Sequence, residues 1–554
     1  MIPRTGIETI IKKLNKRLKD ILKKQISNGM KKPIVYIILD GWGIAPPGPG
    51  NAISLAKTPN MDNLRANHPS TEIGAGGEAI GLPAGHQGSS EIGHLIIGAG
   101  RNVYLPQGKV MHAINTGEIF QNSAYQGVMN YVKENNSTLH LAGLMSDKGV
   151  HNYDEAVHKL IEMATKNSIT KIIVHFFTDG RDTGPYDAKK YLTRLEEVFA
   201  KFGAGRVGTV MGRYWIMDRD HRWERVEKGY NAMVKGQAEF TAHSPLEAID
   251  NAYARGEEAK AKGEDFIESD EFIKPTIIVD ENNQPIGRIQ DHDALIWVNF
   301  RTDRAIEITQ AFVEPEFNDF SRGQKLDIYF AGTFRYYDTM PAPYAYEQDI
   351  PTNTMGEIIS KAGLRQFRTA ETEKWIYVTT IFSGMREEPF TGEDRQLIPS
   401  DKIATYDLAP KMHALEIAET AVKAIESDKY ELVMMNFANP DIIGHTGNIP
   451  ATIIGIEECD KAVGLVVEAT RQKNGLVIVS ADHGNAEGML NADGGMETQH
   501  SANKVPFIIV DDDPAYKNIQ LKAGGAIKDV TPTILEIMGI EKPAEMTGES
   551  LIVK

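Results

Sequence analysis

The chain of 554 residues contains a single cysteine, Cys459. One thiol cannot form a disulfide within the chain, and it cannot build a thiolate cluster around a metal ion. The scarcity of cysteine therefore indicates a reducing compartment. It also means that any metal site must be built from Asp and His side chains and hydroxyl oxygens.

The sequence also lacks a long hydrophobic run and an excess of positive charge. No uninterrupted apolar stretch approaches the roughly 20 residues that a membrane-spanning helix requires. Asp and Glu outnumber Lys and Arg by 76 to 60, so the formal net charge is −16, which disfavours nucleic acid as a partner. A chain of this length can form two or more domains, because single cores stop growing near ~250–300 residues.

Residues 1–32 differ in composition from the rest of the chain. Their Ile and Leu residues recur at steps of three and four while the remaining positions are rich in Lys, which predicts a basic amphipathic helix. Thr5 and Glu8 form a capping-box pattern at its start, and Gly29 follows its end. A docked helix, a helix that binds a membrane surface or a partner, and a targeting segment are the three interpretations. We favour a surface or partner-docked helix, and organellar targeting stays open.

Apolar runs of strand length alternate with helical patterns along most of the chain, which predicts an α/β fold. Clusters of Asp and His occur only towards the two ends of the chain, whereas the middle carries repeated Arg at the ends of apolar runs. The strand-like runs are 33–40, 137–145, 170–178, 206–212, 293–300, 325–332, 431–437, 475–480 and 504–511.

Two segments suit connections between domains: the Pro-rich stretch 340–351 and the stretch 103–110. If a middle domain is inserted into an outer one through these two connections, the Asp and His clusters belong to the outer domain and the repeated Arg residues to the inserted one. We therefore predict two α/β domains, an outer metal-binding domain of residues 33–104 and 348–554 and an inserted substrate-binding domain of residues 105–347.

Polar clusters stand where buried apolar runs end. In parallel sheets, ligands gather outside the carboxyl ends of the strands. A single Asp or His at such a place is ordinarily a cap or a hydrogen-bonded residue. Three Asp and three His on one rim, however, supply enough N and O ligands for two divalent cations. These residues are Asp40, Asp441, His445, Asp482, His483 and His500.

A pair of serines precedes a predicted helix in the segment GHQGSSEIGH, residues 85–94. Free backbone amides at a helix start favour an anion, and a serine beside two divalent cations can lose its proton and attack phosphorus. Ser89 or Ser90 could instead serve only as a helix cap. The neighbouring ligand clusters favour a nucleophile, and the residues alone do not choose between the two serines.

The middle of the chain places arginines at successive strand ends. Arg is suited to bidentate capture of carboxylate and phosphate. One such Arg is ordinarily a surface salt bridge, but five of them in an acidic protein predict a pocket for a small polyanion. The candidate residues are His151, Arg181, Asp182, Arg213, Arg219, Arg301 and Arg304, with Lys374 as a further positive charge.

At these positions the sequence resembles a known family, the cofactor-independent (2,3-bisphosphoglycerate-independent) phosphoglycerate mutases. The resemblance runs from about residue 33 to the C terminus. The matching motifs, in the family's order, are DGWG, GSSEIGHLIIGAGR, SDKGVH, DGRD, GRYWIMDRD, NFRTDRA, ETEK, NFANPDIIGHTG and ADHGNAE. The resemblance implies an alkaline-phosphatase-like metal domain into which a substrate-binding domain is inserted.

The resemblance also implies roles for the candidate residues. Ser90 would be the phosphorylated nucleophile, and the residues of the arginine set, aided by Lys374, would bind the glycerate and its phosphate. One metal would be bound by Asp441, His445 and His500, and the other by Asp40, Ser90, Asp482 and His483.

The sequence departs from the family in three places. Ser89 replaces the usual Asn, TQHSAN replaces a version richer in His and Thr, and residues 1–32 have no counterpart.

These features predict a glycolytic and gluconeogenic isomerase that interconverts 3-phosphoglycerate and 2-phosphoglycerate through a phosphoserine, without 2,3-bisphosphoglycerate. We expect two divalent ions, Mn²⁺ foremost, with Mg²⁺, Co²⁺ or Zn²⁺ as alternatives. We also expect a cytoplasmic monomer. The alternatives are a metal-dependent phosphomonoesterase or sulfatase, a phosphopentomutase of the same superfamily, and an inactive binding protein.

Overall fold

The structure is a computed structural model that describes residues 33–82, 85–491 and 493–554. The predicted helix within residues 1–32 lies outside the described residues. The chain divides into two compact units: unit 1 is the chain up to Val103 together with Ile350–Lys554, and unit 2 is Tyr104–Asp349. Each unit contains helices and one sheet, so the predicted fold class of two α/β domains is confirmed.

The described residues form fifteen strands, numbered here in chain order. They are β1 (Ile34–Leu39), β2 (Ser70–Ile73), β3 (Leu139–Leu144), β4 (Ile172–Thr178), β5 (Arg206–Gly212), β6 (Phe240–Ala242), β7 (Thr276–Ile278), β8 (Ala294–Trp297), β9 (Tyr329–Phe334), β10 (Tyr344–Tyr346), β11 (Gln366–Glu371), β12 (Glu393–Ile398), β13 (Leu432–Phe437), β14 (Leu476–Ser480) and β15 (Val505–Val510).

The same residues form seventeen α-helices. They are α1 (Ala52–Leu55), α2 (Pro59–Asn67), α3 (Ser90–Ala99), α4 (Pro106–Thr116), α5 (Ser123–Asn135), α6 (Asp154–Lys166), α7 (Ala188–Phe202), α8 (Trp223–Val234), α9 (Pro245–Lys262), α10 (Ile306–Val313), α11 (Met355–Lys361), α12 (Thr372–Ile376), α13 (Ala414–Glu426), α14 (Asn439–Gly444), α15 (Ile449–Gln472), α16 (Pro514–Lys517) and α17 (Val530–Ile537). None of them combines the length and the apolar character that crossing a membrane requires.

The sheet of unit 1 has the strand order β12-β11-β13-β1-β14-β15-β2. The strands from β12 to β14 are parallel, and β15 runs against both of its neighbours. All six residues of β1, IVYIIL, are buried, as expected for a strand that is covered on both faces. The parallel part of the sheet therefore presents the carboxyl ends of five strands at one edge.

The sheet of unit 2 has the order β10-β9-β8-β3-β4-β5-β7-β6. The strands from β10 to β5 are parallel, and β7 pairs with β5 in the antiparallel direction. Helix α6 shows how the sequence builds a layer on such a sheet. Its residues Ala156, Leu160 and Ala164 are buried at steps of four, so one apolar face packs into the core while Asp and Glu stand in its first turn.

Candidate active site

The site in unit 1 lies at the carboxyl ends of four neighbouring parallel strands. Asp40 follows β1, Asp441 follows β13, Asp482 follows β14, and Lys374 stands just after β11. These strands are adjacent in the order β11-β13-β1-β14. Because parallel strands end at the same edge, residues that are hundreds of positions apart in the sequence meet here.

Asp441, His445 and His500 form one group of possible metal ligands. The Nε2 atoms of His445 and His500 are 3.0 Å apart, and each lies 3.2 Å from Oδ1 of Asp441. The Nδ1 atom of His445 contacts the carbonyl of Thr498 at 2.7 Å, and Nδ1 of His500 contacts that of Gly88 at 2.9 Å.

The hydrogen bonds of the two Nδ1 atoms show why the group of Asp441, His445 and His500 fits a cation. An Nδ1–H that donates to a carbonyl fixes the tautomer and directs the Nε2 lone pair at the partner. Two Nε2 lone pairs and a carboxylate oxygen then face one another with no proton between them. Their mutual repulsion is relieved by a divalent cation. Without one, Asp441 raises the pKa of His445.

A second group surrounds the side chain of Asp482. This carboxylate is completely buried, and neither of its oxygens accepts a hydrogen bond from the described residues, although Nδ1 of His94 lies 3.1 Å from Oδ2. Nε2 of His483 lies 3.4 Å from Oδ1 of Asp40 and 3.5 Å from Oδ2 of Asp482. A buried carboxylate without donors is costly unless a cation binds it, so this group also fits a divalent ion.

Ser89 and Ser90 have different environments at the start of α3. The Ser89 side chain accepts a hydrogen bond from the backbone N–H of Ile92 and caps the helix. The buried Ser90 hydroxyl lies 3.1 Å from Oδ1 of Asp40 and 3.0 Å from Nε2 of His483. Ser90 is therefore the serine that points into the cluster of ligands.

Lys374 provides a positive charge at the centre of this cluster. Its Nζ lies 2.7 Å from Oδ1 of Asp40, 2.7 Å from Oγ of Ser90 and 2.6 Å from Oδ2 of Asp441. Burial disfavours each charge, but Lys374 and the neighbouring histidines together outweigh burial and lower the pKa of both carboxyl groups. Those carboxylates in turn raise the pKa of Lys374 despite its burial. The structure thus places Lys374 beside Ser90 in unit 1, whereas the sequence grouped it with the arginines.

His94 is a nearby residue that the sequence analysis missed. It lies one turn after Ser90 on α3 and forms a possible ligand group with Asp40 and Asp482. Its Nδ1 contacts the carbonyl of Ser90 at 2.9 Å, and its Nε2 contacts Nδ2 of Asn436 at 3.0 Å. Both nitrogens therefore have partners, which makes a supporting role the simpler interpretation. The four-residue spacing from Ser90 was the available signal.

The arginines of the middle segment meet at the carboxyl edge of the sheet of unit 2. Arg213 follows β5, and its Nη1 contacts Asp179 at 2.7 Å and Asp182 at 2.5 Å. Its Nη2 lies 2.6 Å from Nε2 of His151. Nε of Arg213 and Nδ1 of His151 are buried without a hydrogen-bond partner, so two donors in this cluster are left for a ligand.

Carboxylates hold most of the other guanidinium groups. Asp303 accepts from Nη1 of Arg219 and from Nε of Arg301, both at 2.9 Å, and Arg181 pairs with Glu271 at 2.6 Å. Arg304 differs, because its Nη1 donates to the carbonyl of Met217 at 2.7 Å and it forms no ion pair with any described residue. Sequence reasoning missed these carboxylates, although Asp303 lies within the NFRTDRA motif.

The electrostatic effects show that these residues share one environment. Burial, then the charges of Arg213 and Arg301, lower the pKa of His151 to about 3, so the imidazole is neutral at neutral pH. Burial, followed by the neighbouring arginines, also lowers the pKa of Arg304. An anion would relieve the repulsion among these guanidinium groups. We call His151, Arg181, Asp182, Arg213, Arg219, Arg301 and Arg304 the unit 2 cluster.

Comparisons with known proteins match two segments of the chain to family models. Residues 110–338 match the family model described as the BPG-independent PGAM N-terminus, and residues 337–537 match that of type I phosphodiesterase / nucleotide pyrophosphatase. The 2,3-bisphosphoglycerate-independent phosphoglycerate mutase of Moorella thermoacetica is 44% identical over 95% of this chain and 99% of its own length. The chain belongs to this mutase family.

Further relatives support membership of the mutase family. The protein of the same name from Clostridium perfringens is 44% identical and covers 95% of this chain and 100% of its own length. A crystal structure of Leishmania mexicana phosphoglycerate mutase, determined at low cobalt concentration, is 33% identical with a TM-score of 0.58, covering 95% of this chain and 98% of its own. The family named from sequence motifs is therefore confirmed.

Proposed function

We propose that this mutase family member interconverts 3-phosphoglycerate and 2-phosphoglycerate through a phosphoserine at Ser90, without 2,3-bisphosphoglycerate. The observation that carries the proposal is the environment of the Ser90 hydroxyl. It is buried among carboxylates and an imidazole, with the Lys374 ammonium 2.7 Å away. A serine in such a place is an activated nucleophile rather than a helix cap.

We propose that two divalent cations act at this site, one held by Asp441, His445 and His500 and the other by Asp40, Ser90, Asp482 and His483. Bound there, they would lower the pKa of the serine hydroxyl and neutralise charge on the phosphoryl oxygens. We favour Mn²⁺ and keep Mg²⁺, Co²⁺ and Zn²⁺ as alternatives, because Asp and His ligands suit several of these ions.

The residues of unit 1 would orient and activate Ser90. The Lys374 ammonium donates to Oγ of Ser90 at 2.7 Å, and its charge favours the deprotonated oxygen. The N-terminus of α3, where Ser90 stands, offers free backbone N–H groups to the transferred phosphoryl group. This arrangement is fixed before substrate arrives, which reduces the reorganisation needed during transfer.

The unit 2 cluster would hold the glycerate. Arg304 has no carboxylate partner among the described residues, so its guanidinium is available for the carboxylate or phosphate of the substrate. The neutral His151 accepts from Arg213 through Nε2 and would donate through Nδ1. Asp182 lies beside the same guanidinium, where it can bind a substrate hydroxyl. We assign this binding to the predicted domain of residues 105–347 and phosphoryl transfer to that of residues 33–104 and 348–554.

The test is formation of 2-phosphoglycerate from 3-phosphoglycerate with no bisphosphoglycerate added. We expect activity in the wild type, its loss after chelation, and its return with Mn²⁺. Ser90→Ala should remove activity and any phosphoserine, whereas Ser89→Ala should keep both. A wild type that only releases phosphate would instead be a phosphomonoesterase. We further propose a monomer that acts in the cytoplasm, and size-exclusion chromatography with light scattering tests the monomer.

A further inference from the structure

Glu487 is a buried carboxylate whose hydrogen-bond donors are all uncharged. Its side chain lies in the core of unit 1 at 3% exposure. Oε2 accepts from the backbone N–H groups of Gly43 at 3.1 Å and Asn485 at 2.8 Å. Oε1 accepts from Nδ2 of Asn503 at 3.0 Å and from the hydroxyl of Ser501. No cationic side chain among the described residues forms an ion pair with it.

The four donors belong to the three loops that carry most of the proposed metal ligands. Gly43 follows Asp40 by three positions, and Asn485 follows His483 by two. Ser501 is the residue directly after His500, and Asn503 belongs to the same loop. One carboxylate therefore connects the loops after β1 and after β14 with the loop that precedes β15. Movement of any one loop would break a hydrogen bond to the side chain that holds the other two.

Two glycines permit this close approach. A Cβ atom at Gly43 or at Gly484 would overlap the carboxylate of Glu487. Neither glycine has a positive φ, so the space taken by Glu487 explains them better than conformational freedom does. The DGWG and ADHGNAE motifs are thus linked physically, because each supplies a glycine that makes room for the same carboxylate.

The negative charge of Glu487 needs a further explanation. Removing a carboxylate from water is costly, and four neutral donors offset only part of this cost. Glutamine, the neutral residue of the same shape, would turn an NH2 group towards donors on either side, so only a carboxylate can accept from all four. The charge of this carboxylate also attracts a cation bound by the adjoining loops, and that attraction is strong in a buried environment.

We propose that Glu487 is a positioning residue of the two-metal site: it holds the three ligand loops together, and its charge raises the affinity of both ligand groups for divalent cations. It does this without being a ligand itself. The inference rests on the two-metal site of the proposed function. Residues that orient metal ligands through hydrogen bonds typically change metal affinity by 10–100-fold when substituted.

The experiment compares Glu487→Gln and Glu487→Ala with a matched control, Asp460→Asn. Asp460 is also buried in unit 1 and also accepts from two backbone N–H groups and a side-chain amide, those of Asn60 and Met61. Its hydrogen bonds within the described part of the chain go to none of the ligand loops. Full-length, chelator-stripped proteins are titrated with Mn²⁺ by calorimetry, and the thermal unfolding of the metal-free forms is measured in parallel.

We expect the wild type to bind two Mn²⁺ ions and Glu487→Gln to bind both about 10–100-fold more weakly. Asp460→Asn should lose thermal stability but keep its Mn²⁺ affinity. Glu487→Gln keeps the size of the side chain but turns an NH2 group towards hydrogen-bond donors, and Asp460→Asn does the same. The control therefore accounts for this effect, and Glu487→Gln keeps the test valid if Glu487→Ala fails to fold. Wild-type affinity in Glu487→Gln, or an equal loss in Asp460→Asn, would overturn the inference. A wild type that binds no pair of Mn²⁺ ions would instead refute the two-metal site.

Discussion

Lys374 neutralises part of the negative charge around Ser90. Its removal should therefore raise the affinity for metal ions while it lowers the catalytic rate. Lys374→Met keeps the length of the side chain but leaves Asp40 and Asp441 without their ammonium partner. The more negative cluster should bind Mn²⁺ at least about tenfold more tightly, because a like charge no longer repels the ion. Mutase turnover should fall by about 10² or more, because Ser90 loses a charged hydrogen-bond donor.

Calorimetric titration with Mn²⁺ and the 2-phosphoglycerate assay measure the two effects on the same preparations. The matched control is Lys361→Met, since Lys361 pairs with Glu357 on the surface of the same unit. Unchanged turnover together with unchanged Mn²⁺ affinity in Lys374→Met would show that the ammonium has no role in the site.

His151 should stay neutral far below the ordinary pKa of histidine. Burial and the charges of Arg213 and Arg301 lower its pKa from 6.5 to about 3. The unfolded chain takes up a proton near pH 6.5, but the folded chain does not until about pH 3. This group therefore lowers the free energy of unfolding progressively as the pH falls from about 6.5 to about 3.

Nitrogen NMR of labelled histidine measures this state directly, and His151→Asn identifies the signal. We expect a neutral ring at pH 5 that carries its proton on Nδ1, because Nε2 accepts from Arg213. A ring of His151 that is protonated at pH 6 would contradict the arrangement of the unit 2 cluster.

The candidate site residues that could be predicted from the sequence are those marked by a feature of the neighbouring sequence. Asp40, Asp441 and Asp482 each follow an apolar run, so the metal-type cluster could be proposed before the structure. The position of Lys374 could not, because its partners Asp40, Ser90 and Asp441 are all more than 60 residues away. The link that Glu487 makes to the loop after β1 could not either, because Gly43 is 444 residues away.

At the scale of secondary structure, β11 shows what hydrophobic patterning misses. Nine apolar runs were predicted as strands; eight of them contain a whole strand of the structure, and the run 325–332 overlaps β9. Strand β11, QFRTAE, is fully buried although four of its six residues are polar. Arg368 on this strand lies 3.4 Å from Glu393 of β12, with both side chains almost completely buried. Charges that are paired inside the core conceal a strand from any method that looks for apolar residues.

Arg368 also supports the turn that follows the helix carrying Lys374. Its Nη1 donates to the carbonyl of Val378 at 3.0 Å and to Oγ of Ser383 at 2.9 Å. Residues Tyr377–Ile381 form a π-helical turn directly after α12, and such turns often occur at functional sites. The buried pair thus links the edge of the sheet to the segment that positions the ammonium group.

Arg368→Leu should destabilise the protein by about 2–5 kcal/mol, because it removes one of the two arginines that pair with the buried Glu393 and leaves carbonyls of the π-helical turn without a donor. Arg365→Leu is the control: Arg365 pairs with Asp394 at the surface, so its loss should cost less than about 1 kcal/mol. Urea unfolding measures both. Equal costs would show that the buried pair does not stabilise this segment.

At the scale of the whole molecule, the positions of the candidate site residues along the chain indicated that one domain is inserted into the other. Asp40 and Ser90 precede unit 2, while Asp441, Asp482 and His500 follow it, and all of them belong to unit 1. The relation was predictable because a single inserted segment explains why ligand residues occur only towards the two ends. The strands of unit 2 could be predicted less completely, because β6, β7 and β10 are only three residues long.

The division of roles between the units gives the last prediction. If the unit 2 cluster retains the glycerate after Ser90 takes the phosphoryl group, weakening it should favour hydrolysis. Arg304→Ala removes the guanidinium that has no carboxylate partner among the described residues. Isomer formation should fall by about 10², and part of the remaining flux should appear as free phosphate, because water can reach a phosphoserine whose acceptor has left.

Measuring 2-phosphoglycerate and phosphate in the same reaction gives this partition. Arg288→Ala is the matched control, an exposed arginine of unit 2 that contacts none of the unit 2 cluster and donates to the carbonyl of Val234. It should behave like the wild type, which should form isomer with little phosphate. If Arg304→Ala keeps both the rate and the partition of the wild type, the glycerate is held by other groups. Hydrolysis by Arg288→Ala to the same extent would show that any loss of positive charge in unit 2 produces the effect, and the role assigned to Arg304 would then be wrong.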